Sequence, residues 1–316
     1  MVEPRVGGRD VSLHTAGLSV IAAVPSGAVI FNNQHDTTYL KFFVISAMRA
    51  IGLLRVADMC NFWIGLVKAC PRNRRFRVQF PDFATPPPHL AFDALNHVDW
   101  TQYRESGLRH AALFAKIIRE EIPAPAPIDV LEWGCGPGRL IRHMPALLSV
   151  RLHALSGTDY NGESIAWCRR HFPGIDFAEN GLNPPLPFPD GRFDVVYSFS
   201  VFTHLSEAVQ IAWARELHRV LRPGGLLVST THGAAYRYLL TSNAERERYD
   251  TGHLVVQGNY QEGKKWFFAV HPEAFVRERL LADFPEIRRY QIGPDDDILQ
   301  DVWIARKAAA ALPADE

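Results

Sequence analysis

Residues 130–138 read Val-Leu-Glu-Trp-Gly-Cys-Gly-Pro-Gly, and this stretch decides the fold. An apolar run at 128–131 meets Glu132, then glycine at alternate positions: Gly134, Gly136 and Gly138. A short apolar run bounded by glycine reads as a buried strand. The glycines remove the Cβ atoms that would hold the backbone away from a ligand. A helix-like segment follows from Arg139, and a helix start offers free N–H groups. Strand, glycine turn and helix together describe a nucleotide-cofactor site at the carboxyl end of a first parallel strand. A dinucleotide fingerprint places glycine at its first, third and sixth positions. Here the sixth is Arg139, whose bulk opposes close helix–strand packing and disfavours a nicotinamide-dependent oxidoreductase.

Downstream landmarks follow in order. Residues 152–158 form a second apolar run ending at Asp159, so Glu132 and Asp159 close consecutive strands. An acidic residue there can accept hydrogen bonds from both ribose hydroxyls. Asp176-Phe177-Ala178-Glu179-Asn180-Gly181 reads as a third strand and its turn. Leu186-Pro187-Phe188-Pro189-Asp190-Gly191-Arg192-Phe193-Asp194 then leads into a fourth strand, Val195-Val196-Tyr197-Ser198-Phe199-Ser200. An amphipathic helix at 207–221 is closed by Arg222-Pro223-Gly224-Gly225, before a fifth strand at 226–231. The pattern E-x-G-x-G-x-G, the acidic end of strand two, L-P-F-P-D-G-x-F-D-V-V and H-R-V-L-R-P-G-G-L-L resemble the ordered blocks of class I S-adenosylmethionine (SAM)-dependent methyltransferases, in particular bacterial proteins of the "methyltransferase domain" type. These landmarks span about a hundred residues, and together they are more specific than one glycine motif.

The resemblance implies an α/β fold: a Rossmann-like, seven-stranded, mostly parallel sheet flanked by helices. It also implies SAM as cofactor. Backbone of Gly134, Cys135 and Gly136 would line the methionine part, with Glu132 organising the loop. Asp159 would hold the ribose and Tyr160 flank the adenine, while Asn180, Gly181 and Leu182 would contact its edge and face. Ser198 and Phe199 would face the methionine moiety and the methyl. Gly138 has a plain packing explanation, and Asp159 can also cap the helix after it. His204 and His232 would sit at the carboxyl ends of strands four and five, where α/β sheets place their chemistry. Each is a candidate general base, since imidazole titrates near neutrality; the competing reading of each is a hydrogen-bonded structural histidine.

The chain of 316 residues is 47% hydrophobic and 22% charged, which is ordinary globular composition. Its formal net charge is +0, so no global field draws it to nucleic acid. The four cysteines form no C-x-x-C pair, which suggests neither a zinc site nor a redox motif and fits the reducing cytosol. The apolar run at 18–31 contains Pro25 and Gly27 and is too short to span a bilayer. Arg5 and Arg9 precede it as in a signal peptide, but the cofactor-enzyme body argues for a cytoplasmic protein. The run at 42–67 is interrupted by Arg49, Arg55 and Asp58 and reads as amphipathic helix.

The expected organisation is a loosely ordered segment at 1–40, then a helical extension and a cleft-capping helix at 41–122. The SAM-binding domain follows at 123–310, with an inserted lid or substrate segment at 232–270 after strand five. Apolar residues at 108, 111, 112, 115, 118 and 122 place the capping helix at 102–122. A helix at 272–284 and an antiparallel pair at 286–292 and 301–305 complete the sheet. The arginines at 72–77 read as a solvated helix end. No N/D-P-P-Y/F motif follows strand four, which argues against amino methylation of DNA bases or protein glutamine. No paired acidic metal ligands lie near strands four and five, so no metal is expected. The resulting expectation is methyl transfer to a small-molecule or glycan acceptor, with oxygen the attacking atom; the alternative is a non-catalytic binding or regulatory protein that retains the SAM fold.

Overall fold

The computed structural model describes residues 54–122, 126–258, 260–293, 296 and 298–310. The expected segment 1–40, and residues 41–53 of the helical extension, lie outside them.

Four parallel strands run in order from the glycine motif: β1 (Ile128–Trp133), β2 (Leu152–Asp159), β3 (Asp176–Glu179) and β4 (Phe193–Ser198). They are followed by β5 (Leu221–Thr231). Two short strands, β6 (Val255–Gln257) and β7 (Phe268–Val270), form a separate antiparallel pair. The chain ends in β8 (Glu286–Arg289) and β9 (Asp301–Arg306). The large sheet has seven strands in the order β3-β2-β1-β4-β5-β9-β8, with β9 antiparallel to both neighbours. Strand order reverses between β1 and β4, and an open α/β sheet binds its ligand at such a switch point.

β1 is buried at every position, because both faces of the sheet are covered. Val130, Val195 and Leu226 face one apolar cluster, and Leu131, Val196 and Leu227 face the other. The first cluster packs under α3 (Trp100–Glu121), α4 (Met144–Leu148) and α5 (Gly162–His171); the second packs under α6 (Glu207–Val220). Asp99 starts α3 as N-cap, accepting from the backbone N–H groups of Thr101 and Gln102. Ahead of α3 lie α1 (Leu54–Gln79) and α2 (Pro88–Leu95). The arginines at 72–77 belong to α1, so the helix outlasts its apolar stretch. Arg72 also pairs with the capping Asp99 at 2.7 Å.

Two local expectations change. The segment after the glycine loop is not a helix from Arg139. It forms turns, then a 3-10 turn at Ile141–His143 and only five α-helical residues in α4, where Pro145 occupies the first turn. The helix at 272–284 is α8 (Glu273–Phe275), which continues as a wider π turn over Val276–Leu280. Between β5 and α8, the segment at 232–270 carries a 3-10 turn (Ala234–Leu239), α7 (Asn243–Asp250) and the β6–β7 pair. A capping box between Ser242 and Glu245 starts α7. No described helix is long and apolar enough to cross a membrane.

Candidate functional site

A cavity of about 260 Å³ opens at the carboxyl ends of β1, β2 and β4. The glycine loop forms one wall. Gly134, Gly136 and Gly138 have φ of 78°, 51° and 73°, a left-handed backbone that side chains resist. Their individual reasons differ. A Cβ on Gly134 would lie 2.3 Å from Val201, whereas one on Gly138 would meet Phe172 at 2.7 Å and Cys168 at 3.3 Å. Gly138 therefore serves packing against α5. A Cβ on Gly136 would have only Ala94 nearby, at 3.9 Å, so at this point the bare backbone borders the cavity.

Two buried carboxyls anchor the loop. Asp159, at the end of β2, accepts from the backbone N–H of Gly136 and of Asn161, both at 2.8 Å. A carboxylate has about four acceptor positions, so capacity remains on the cavity side. Burial raises its pKa, opposed by these N–H groups. Glu132 accepts from the Tyr197 hydroxyl at 2.7 Å. Burial pushes its carboxyl up to about 8, despite that bond and the nearby Arg139, so Glu132 is largely protonated at neutral pH.

Of the expected cofactor residues, Glu132, Gly134, Cys135, Gly136, Asp159, Tyr160, Asn180, Gly181, Leu182 and Phe199 all line the cavity. Ser198 does not: it is fully buried behind it, with no hydrogen-bond partner for its hydroxyl. Strand alternation explains this, since the residue before Phe199 faces the sheet interior. Of the two histidines, only His204 lines the cavity. Its Nδ1 lies 2.8 Å from the Phe267 carbonyl. A carbonyl only accepts, so Nδ1 carries the proton and Nε2 keeps the lone pair. Burial lowers the His204 pKa, partly offset by that bond. His232 lies apart, stacked between Tyr236 and Phe268 with ring centroids 4.0 and 4.4 Å away. Burial, with His271 and His204 adding to it, pushes His232 down to about 2, too weak a base for work at neutral pH.

Several lining residues were not named individually from sequence, because their positions depend on distant elements. The segment at 260–266 roofs the cavity. The Tyr160 hydroxyl donates to the Gly263 carbonyl at 3.0 Å, and the Gly263 N–H donates to the His204 carbonyl at 2.9 Å. Glu262 accepts from the Ser206 N–H at the start of α6. Lys265 pairs with Asp58 of α1 at 2.9 Å, and Lys264 approaches Asp93 of α2 at 3.6 Å. The segment at 260–266 and the N-terminal helices thus meet over the cleft. Ser200, with φ of 61°, is held by Thr230, Thr203 and Gln300. Among the described residues, no group of three or more His, Cys, Asp or Glu side chains is placed to hold a metal ion.

Part of the chain is similar to known proteins. The family described as "Methyltransferase domain" matches residues 130–225. A probable S-adenosylmethionine-dependent methyltransferase of Mycolicibacterium smegmatis is 37% identical over 103 residues, which is 33% of this chain and 37% of that protein. A demethylmenaquinone methyltransferase of Chlorobaculum parvum is 32% identical over 114 residues, 35% of this chain and 44% of the other. A solved SAM-dependent methyltransferase of Methanosarcina mazei aligns with a TM-score of 0.43 at 20% identity, covering 61% of this chain and 97% of that one. The matched stretches are less than half the length of these curated relatives. The seven-stranded sheet with its antiparallel β9, and the glycine loop at its switch point, define a Rossmann-like methyltransferase fold. Residues 130–225 match the methyltransferase-domain family, and this stretch is similar to SAM-dependent methyltransferases.

Proposed function

We propose that the chain is a SAM-dependent methyltransferase acting on a hydroxyl of a small-molecule or glycan acceptor. The observation that carries this reading is the pairing of Gly136 with Asp159. A loop with no Cβ on its cavity side is pinned by a carboxylate that still has acceptor capacity. The pocket suits the cofactor in a second respect: Asn180 lines it and its buried Oδ1 has no hydrogen-bond partner, which suits an exocyclic amine of adenine.

Bound SAM supplies an electrophilic methyl on a sulfonium sulfur. The residues provide position, exclusion of water and a proton acceptor. In this reading Asp159 takes the ribose hydroxyls, Tyr160 and Leu182 enclose the adenine, and Phe199 borders the methyl. Gly263 closes over Tyr160, and Lys264 and Lys265 tie that closure to α1 and α2. His204 Nε2 accepts the proton of the acceptor hydroxyl, whose oxygen would take the methyl group that bound SAM supplies.

Thermal unfolding with S-adenosylhomocysteine, against a nicotinamide dinucleotide control, tests the cofactor. Stabilisation by the first alone is expected, and stabilisation by neither refutes it. A SAM-consumption assay over hydroxylated and amine acceptors then tests oxygen as the attacking atom; turnover only with amines would refute that part.

A further inference from the structure

The two faces of α1 are both apolar over much of its length, yet only one is packed. The inner face meets the body through Phe62, Leu66, Ala69 and Phe76. On the outer face Val56, Met59, Trp63, Ile64 and Val67 stand in solvent, with Trp63 60% and Val67 74% exposed. Single exposed apolar side chains are ordinary, whereas a contiguous patch marks an interaction surface. Steps of three and four residues set Val56, Met59, Trp63 and Val67 in one stripe along the helix. The same spacing carries that stripe on to Arg74 and Arg77. It is therefore apolar at one end and cationic at the other.

The charge of the helix is one-sided as well. Arg55, Lys68, Arg72, Arg74, Arg75 and Arg77 stand against a single acid, Asp58. Asp58 is on the inner side, paired with Lys265 at 2.9 Å, and Arg72 is taken by Asp99. Among the described residues no carboxylate forms an ion pair with Lys68, Arg74, Arg75 or Arg77. A second copy of the chain suits such a stripe poorly. A two-fold contact pairs a surface with itself, which would set arginine against arginine or against the apolar residues. An anionic bilayer suits both parts. Its acyl boundary takes apolar side chains, its interface favours tryptophan, and its lipid phosphates take guanidinium groups.

We propose that the outer face of α1 docks the protein on an anionic membrane surface. Met59, Trp63 and Val67 enter the interface, and Arg74 and Arg77 rest on lipid phosphates. The helix lies on the bilayer and does not cross it. Asp58 lines the cavity from the inner face of the same helix, so the cleft stands about 10 Å, one helix diameter, from the membrane. The inference goes beyond the cofactor reading and does not depend on it.

The test sediments the full chain with vesicles of phosphatidylcholine alone, and of phosphatidylcholine and phosphatidylglycerol in equal parts. Binding to the anionic vesicles that weakens as salt rises, with little on the neutral ones, is expected. Combining Met59→Ser, Trp63→Ser and Val67→Ser should lower partitioning roughly tenfold or more. Arg74→Ser with Arg77→Ser should lower it comparably, each cation near the surface being worth roughly fivefold. Brominated lipid in the anionic vesicles should quench tryptophan emission in wild type and spare Trp63→Phe. All these positions are exposed, and matching circular dichroism spectra and melting temperatures exclude misfolding. Undiminished binding by the serine variants overturns the proposal and assigns the vesicles to another part of the chain, residues 1–53 included. Equal uptake by neutral vesicles overturns the anionic surface. Absence of vesicle binding overturns docking altogether, and a wild-type dimer in analytical ultracentrifugation that Trp63→Ser makes monomeric would then give the stripe to a second copy.

Discussion

At the residue scale, two buried titratable groups face one cleft with opposite shifts. His204 has its proton fixed on Nδ1 by the Phe267 carbonyl and its pKa lowered by burial. As a base it stays deprotonated through neutrality. The rate should be flat there and fall only on the acid side, below the ordinary histidine range. His204→Ala should lower kcat by about 10²- to 10⁴-fold, while His232→Ala, behind the cavity, should lose far less. Initial rates against pH for both variants check this, and wild-type turnover in His204→Ala would remove the base assignment. Glu132 runs the other way, since its folded pKa of about 8 exceeds its ordinary 4.5. Its contribution to stability is therefore complete below about 4.5 and is lost as pH rises towards 8. Glu132→Gln keeps the shape without the charge. It should melt a few degrees above wild type at pH 9, with the gap closing at pH 5, as read by thermal denaturation at both. A constant gap would refute the buried-carboxyl argument.

At the scale of elements, the cleft depends on close approach between pieces far apart in sequence. α3 reaches the glycine loop because position 107 is glycine. The Tyr103 hydroxyl secures that approach by donating to the Pro137 carbonyl at 2.9 Å. Gly107→Ala should cost about 1–3 kcal/mol by overpacking and loosen the Arg139 wall; urea unfolding measures the first effect. The roof makes a similar demand. A Cβ on Gly263 would stand 2.7 Å from Leu182, and its φ is 82°. Gly263→Ala should therefore raise the KM for SAM several-fold with a smaller change in kcat, because the added Cβ meets Leu182 and disturbs closure over the cofactor. Steady-state kinetics separates the two, and an unaltered KM would argue against a roof over the cofactor.

For the whole molecule, the two ends of the sheet do different work. Opposite the cleft, at the start of β1, Asp129 accepts from His153, Arg192 and Arg222. Burial would raise its pKa, but these three partners outweigh it and hold the carboxyl below its ordinary value. A depressed carboxyl contributes stability above its unfolded pKa of about 4 and loses it as pH falls further. Asp129→Asn should therefore destabilise the protein at pH 7 and matter less at pH 3. At the cleft end, ligand binding adds stability by mass action. A hundredfold excess of S-adenosylhomocysteine over its Kd should add about 2.7 kcal/mol, a shift of several degrees in Tm for a chain of this size.

By itself the sequence determined the elements whose signals are local. Apolar runs, their acidic ends and the glycine loop identified β1 to β5, and with them many of the residues that line the cavity. Local signals suffice there because in a doubly wound sheet the end of each strand is the ligand site. Only the tertiary structure decided the rest. Ser198 and Phe199 are adjacent in sequence, but strand alternation sends one into the core and the other to the cavity. His204 and His232 both follow strands, yet the distance of each from the cleft depends on how the segment at 232–270 folds back. The wider turn at the end of α8 and the late start of α4 reflect packing rather than periodicity. Arg139 read as an obstacle to helix packing, because no sequence pattern records that Gly107, more than thirty residues earlier, makes room for it. Burial, and so every shifted pKa in the cleft, depends on which distant residues surround a group. That is why the fold was legible along the chain, whereas the acid–base character of its site emerged only from the folded molecule.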